Sequence, residues 1–169
     1  PMRSVIGVIR GREEPEKLVI LGNHHDAWIY GAVDPSSGTA AILEVARALG
    51  EAASKGHRPR RTIVFTVWDG EEALLGGSTQ WALDNADNLR RNAIAYINVD
   101  TGVQGSDFVG GATPALAEFL RDVTKAVNHP LSDRPLRDVW ASKSEDKVPQ
   151  VATIVGATDY TAFQEYLGV

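Results

Sequence analysis

Three stretches of this chain bring together residues able to do chemistry. Gly22–Ala40 reads GNHHDAWIYGAVDPSSGTA, with His24, His25 and Asp26 in a row and Asp34 further along. WDGEE places Asp69 beside Glu71 and Glu72, and AYINVD ends on Asp100. A later VGATDY adds Thr158 and Asp159. Uncompensated, carboxylates gathered this densely repel one another and push their pKa values up, and a divalent cation relieves that strain. The chain has no cysteine, which excludes disulfide frameworks, thiolate zinc fingers and cysteine nucleophiles. Any metal must be held by His, Asp and Glu, a donor set that suits zinc or a similar metal in a hydrolytic site. Two metals sharing a bridging carboxylate need about five ligands, and clamp both the attacking water and the scissile carbonyl.

The elements that must position these residues follow from the apolar pattern. SVIGVI (Ser4–Ile9) and LVILGN (Leu18–Asn23) read as strands, paired as a hairpin or as neighbours across RGREEPEK. Ser36–Ala53 has helical spacing through Ala40, Ile42, Leu43, Val45, Ala46 and Leu49, with Ser36 or Ser37 as N-cap. TIVFTVW (Thr62–Trp68) and AIAYINV (Ala93–Val99) are buried-type strands, and EEALLGGSTQWALDN starts a helix weakened by Gly76 and Gly77. Pro114–Val127 is a third helix behind Thr113, Asn128–Gln150 a polar stretch without periodicity, VATIVG (Val151–Gly156) a last strand and Tyr160–Leu167 a last helix. Continuous apolar strands alternating with amphipathic helices indicate an α/β fold, a three-layer α/β/α sandwich on a mostly parallel sheet. In such sheets ligands gather at the carboxyl ends of the strands, and four strands here run into acids or histidines.

Taken singly, each residue also has a plainer reading. Asp34 precedes Pro35 and can shape a turn or cap the helix at Ser36. Glu71 and Glu72 can be first-turn acids favoured by the helix dipole, and Asp100 can terminate a strand. Thr158 and Asp159 can line a pocket, or Asp159 can cap a helix. His25, His57 and His129 read as surface residues, and Trp28, Tyr30, Trp68 and Trp81 as packing, with Trp28 or Tyr30 able to flank a pocket.

Bulk properties narrow the partners. The 169 residues suffice for one domain with its own core. A formal net charge of −5, with RPRR at Arg58–Arg61 as the one short basic run, argues against nucleic acid or an anionic membrane as partner. No stretch is long and apolar enough to span a membrane, and no signal peptide opens the chain. A start at Pro1 and a stop on LGV suggest a domain excised from a longer protein.

The three motifs, LGNHHDAWIYGAVDPSSGTA, TVWDGEEALLGGSTQWA and AYINVD, resemble in order and spacing the dizinc exopeptidases related to glutamate carboxypeptidase II and the transferrin receptor. The likeness extends weakly through VGATDYTAFQEYLG, and WIYGAVDPSSG and RPRRTIVF look like the glutamate carboxypeptidase branch. It implies zinc, two ions in a complete site, and a peptide or acylated amino acid as substrate. By it, His24 and Asp100 are ligands of one zinc, Asp34 bridges both, Glu72 binds the other, and Glu71 is the general base that activates the bridging water. Asp26 is the acid that orients His24. Residues i and i+2 of an extended segment share a side, and metal-bound imidazoles usually donate their far N–H. Spacing alone does not choose between Glu71 and Glu72 as base.

The family's fifth ligand, a histidine, has no counterpart here, since neither His57 nor His129 lies in a matching motif. The expectation is therefore one catalytic peptidase domain over 1–169, cut short at its C-terminus and inactive alone. Missing with it are a protease-associated insertion, a helical dimerisation domain and arginines for a substrate carboxylate. The parent is expected to be a homodimer, secreted or membrane-anchored outside the cell. Two rivals of other classes are a non-catalytic receptor-like binding domain, marked by ligand loss, and a related metal-dependent amidohydrolase.

Overall fold

The structure, a computed structural model, describes residues 2–169. It divides into two compact units, Pro1–Val103 with Gly156–Val169, and Gln104–Val155.

The first unit is built on four strands, β1 (Val5–Ile9), β2 (Glu14–His24), β3 (Arg61–Trp68) and β4 (Ala93–Asn98), in the order β1-β3-β2-β4. β2 pairs in parallel with both β3 and β4, with Leu21 opposite Phe65 and Ile97. β1 runs antiparallel to β3, with Gly7 opposite Phe65. The expected pairing of the first two strands is thus corrected. The apolar run of β2 is best buried between two neighbours, whereas Val5, Ile6 and Val8 are exposed and tolerate an edge.

Alternation along β2 points its side chains to two helical layers. On one side lies α1 (Ser36–Ser54), with Ile42 buried. On the other, Ile20, Val64 and Trp68 pack with residues of α2 (Gly76–Asp84), α3 (Ala86–Asn92) and a closing π-helix (Ala162–Leu167). Four rings pack there. Phe163 stacks on Tyr96 with centroids 4.1 Å apart and lies within about 6 Å of Trp68 and Trp81. Those tryptophans are packing residues, as the sequence suggests.

In the second unit, α4 (Pro114–Val123) and α5 (Leu136–Ala141) flank a loop, and Phe108 meets Trp140 edge-on at 5.0 Å. α5 falls inside the polar stretch that shows no periodicity in the sequence. VATIVG is not a strand of the sheet: Ala152 makes one isolated bridge with Gly111, and Val155 is exposed. β-propensity without a neighbouring strand does not make a strand. His129 is half-buried, its Nε2 3.1 Å from the Ser106 carbonyl.

Two helix starts also differ. Neither Ser36 nor Ser37 caps α1; the N-cap position is Pro35, and Ser37 Oγ donates to the Val33 carbonyl at 2.5 Å. The second helix begins at Gly76 rather than Glu71, because Leu74 and Leu75 take left-handed φ of 70° and 58° and turn the chain first. Gly77 does not weaken that helix so much as permit its approach, since a Cβ there would strike the Asp69 carbonyl.

Candidate metal centre

Three parallel strands end at one edge of the sheet, and their connections carry the polar cluster. β2 delivers His24, the turn after β3 delivers Glu71 and Glu72, and the segment after β4 delivers Asp100. Asp34 arrives from the loop before α1, across a cis bond to Pro35.

His24 is the hub, and only 1% of it is exposed. Its Nε2 lies 3.1 Å from Asp100 Oδ1, 3.2 Å from Asp34 Oδ1 and 4.0 Å from Glu71 Oε2. Its Nδ1 is 2.9 Å from the Asp26 backbone carbonyl and 3.6 Å from the Asp26 carboxylate. The carbonyl, not the carboxylate, is therefore the closer partner of the ring. The Asp26 carboxylate instead accepts the backbone N–H groups of Glu71 at 3.1 Å and Glu72 at 3.2 Å. It ties the β2 connection to the β3 connection. That tie was not legible from the i, i+2 spacing.

The titrations reflect this crowding. Burial pulls the His24 imidazole down, but the hydrogen bond and charge of Asp100, with Glu71 behind, outweigh it and raise it to about 9. Burial works to raise Asp100, yet hydrogen bonds from His24 and Thr158 hold it below the usual carboxylate range. Burial raises Glu71, only partly opposed by His24. Among the described residues, no lysine or arginine forms an ion pair with Asp26, Asp34, Glu71, Glu72 or Asp100. One imidazole against several carboxylates is an unbalanced set. Ligand atoms of His24, Glu71 and Asp100 all lie within 4.8 Å of one another, close enough to hold one ion. Nitrogen and carboxylate oxygen are donors zinc accepts, so the residues present fit such a metal.

The remaining candidates separate. Glu72 shares the turn but is not among the carboxylates within 4.0 Å of the imidazole. Asp69 turns away and accepts the Arg3 N–H at 2.6 Å. His25 is exposed, its Nε2 3.0 Å from the Arg3 carbonyl. Trp28 and Tyr30 are 79% and 95% exposed, so they are not packing residues. Thr158 accepts the Asn98 amide at 3.2 Å. Asp159 is fully buried and caps no helix, and burial lifts it to about 7 against the opposing pull of Ser78.

Sequence reasoning missed Asn23. It is fully buried, and its amide donates to the Pro35 carbonyl at 3.0 Å and to Thr39 Oγ1 and the Asp100 carbonyl at 3.1 Å. A polar residue closing an apolar strand beside a histidine was the available signal. Gly38 was missed too. A Cβ there would collide with the Val99 and Asp100 carbonyl oxygens, so only glycine lets α1 approach the Asp100 segment so closely.

Known proteins share this arrangement of chain. The chain is 45% identical over 170 residues to a probable glutamate carboxypeptidase of Zea mays, covering 99% of this chain and 24% of the relative. It is 39% identical over 175 residues to an aminopeptidase of Mus musculus, covering 98% and 24%. The chain thus spans about a quarter of the length of the curated relatives it matches. In fold it is similar to a zinc aminopeptidase from Bacillus subtilis, with a TM-score of 0.67 at 19% identity, covering 98% of this chain and 38% of that one. An Acidobacteriales glutaminyl cyclase gives a TM-score of 0.64 at 20% identity, covering 98% and 55%. The model of peptidase family M28 matches residues 4–168, and the chain belongs to that family.

Proposed function

We propose that this chain carries the metal centre of a dizinc exopeptidase that cleaves a terminal residue from a peptide. The observation that carries the reading is His24, a buried imidazole whose Nε2 faces the carboxylates of Asp34, Asp100 and Glu71. Membership of a peptidase family, and relatives named as carboxypeptidase and aminopeptidase, support it.

His24, Asp34 and Asp100 would hold one zinc, and Asp34 and Glu72 would reach the second. Bound there, zinc supplies Lewis acidity that polarises a carbonyl and makes water a better nucleophile at neutral pH. Glu71, although close enough to reach the same ion, is assigned instead as the general base. Its carboxyl is raised by burial, which suits a group that accepts a proton from the attacking water and returns it to the leaving amine. Asp26 holds the Glu71–Glu72 backbone in place through its two hydrogen bonds. The second ion needs one more ligand than these residues provide, so the 169 residues alone are expected to hydrolyse peptides poorly.

The test is a thermal melt with and without zinc. The reading expects zinc to raise the melting temperature of the wild-type chain, since it binds the folded state, and to leave His24→Ala unchanged. No shift in the wild type, or an equal shift in both, overturns it. A panel of free and acylated peptides on the full-length protein then separates peptidase from amidohydrolase.

A further inference from the structure

We propose that Asn23 is a positioning residue that sets the mutual geometry of His24, Asp34 and Asp100 by joining the backbones that carry them; this rests on the metal-centre reading above. One side-chain amide makes the connection. Its nitrogen lies 3.0 Å from the carbonyl of Pro35, the neighbour of Asp34, and 3.1 Å from the carbonyl of Asp100 itself. It lies 3.1 Å from Thr39 Oγ1, whose own hydrogen goes to the His24 carbonyl at 2.6 Å. All three ligand-bearing segments therefore meet at this amide, two through a direct hydrogen bond and one through Thr39.

The orientation of the amide is fixed by its partners. Carbonyl oxygens only accept, so the NH2 group and not the oxygen must face Pro35 and Asp100. Two hydrogens serve three acceptors, and one is shared. Asn23 Oδ1, on the far side, is buried with no partner. An apolar side chain of similar size would leave the acceptors on these segments without this donor, at a desolvation penalty for each one buried. What asparagine supplies that an apolar residue cannot is a rigid donor bridging three chain segments.

Positioning groups behind metal ligands typically change metal affinity by about 10- to 100-fold when removed. The experiment measures the zinc dissociation constant of the chain by competition with a chromophoric chelator, and the visible absorption spectrum of the cobalt(II)-loaded chain. Asn23→Ala is expected to weaken zinc binding about tenfold or more and to alter the cobalt spectrum. Leu89→Ala, in the core of the opposite helical layer, should lower the melting temperature while leaving both readouts at wild-type values. Wild-type affinity and spectrum in Asn23→Ala overturn the proposal, as does a loss of affinity in Leu89→Ala equal to that in Asn23→Ala. If Asn23→Ala does not fold, Thr39→Val removes the hydroxyl link at nearly constant volume. A severalfold loss of affinity there supports the proposal, and wild-type affinity overturns it. His24→Ala separates the two levels. If it binds zinc like the wild type, the metal-centre reading falls and takes the proposal with it. If it loses zinc while Asn23→Ala does not, the positioning role alone falls.

Discussion

Two groups of acids on this molecule have opposite surroundings. Along α1 and its C-cap, Glu44 and Glu51 alternate with Arg47 and Lys55 at contacts of 2.7, 3.3 and 2.6 Å, each side chain more than half exposed. At the sheet edge, Asp26, Asp34, Glu71 and Asp100 surround a single buried imidazole with no lysine or arginine among their described ion pairs. The first group is compensated and solvated, and such pairs contribute little to stability. The second is uncompensated and partly desolvated, an arrangement that persists where an external cation or a reaction makes use of it. Carboxylate count alone does not distinguish the two. The missing counter-charge does.

The largest expected effect breaks the second group at its reacting member. Glu71→Gln in the full-length protein should lower turnover by about 10²- to 10⁴-fold, the span of general-base catalysis, with zinc content unchanged. Steady-state kinetics with metal analysis checks this, and near-normal turnover would remove Glu71 from the chemistry. Next is the backbone support. Gly38→Ala drives a methyl group into the carbonyls of Val99 and Asp100 and should cost on the order of 3 kcal/mol, read from urea denaturation.

Asp159 gives a smaller effect with a definite sign. Its carboxyl rises from an ordinary 3.8 to about 7 in the folded chain through burial. The folded state therefore holds the proton longer than the unfolded state. The stabilisation is complete below about pH 4 and is lost as pH rises through about 7. In the metal-free chain, Asp159→Asn should remove that decline and raise the melting temperature more at pH 8 than at pH 4. An unchanged pH profile would contradict the buried-acid description. The smallest effect belongs to the other side of the comparison: Glu44→Ala should leave the melting temperature and zinc affinity within experimental error.

Much of this was legible in the chain. β2, β3 and β4 show as unbroken apolar runs, and the residues after them gather at one edge because parallel strands deliver their ends together. Strand partners were not legible. Which strand lies beside β1 depends on how much burial each strand demands, a property of the assembled sheet rather than of Val5–Ile9. VATIVG misled for a related reason: its apolar residues never acquire a ladder. The Glu71–Leu75 turn was hidden because Glu, Ala and Leu favour a helix, while the Asp26 hydrogen bonds and the left-handed leucines that prevent one depend on tertiary contacts. Asn23 and Asp26 share that property, since each acts on backbone groups distant in sequence.

The central claim is that the uncompensated acids at the sheet edge exist to hold zinc against His24. Anomalous diffraction at the zinc absorption edge, from crystals of the zinc-loaded protein, tests it most directly. The account predicts a peak contacted by His24 Nε2 and by the carboxylates of Asp34 and Asp100. A zinc-loaded crystal with no peak there, or with its peak elsewhere on the chain, would contradict it.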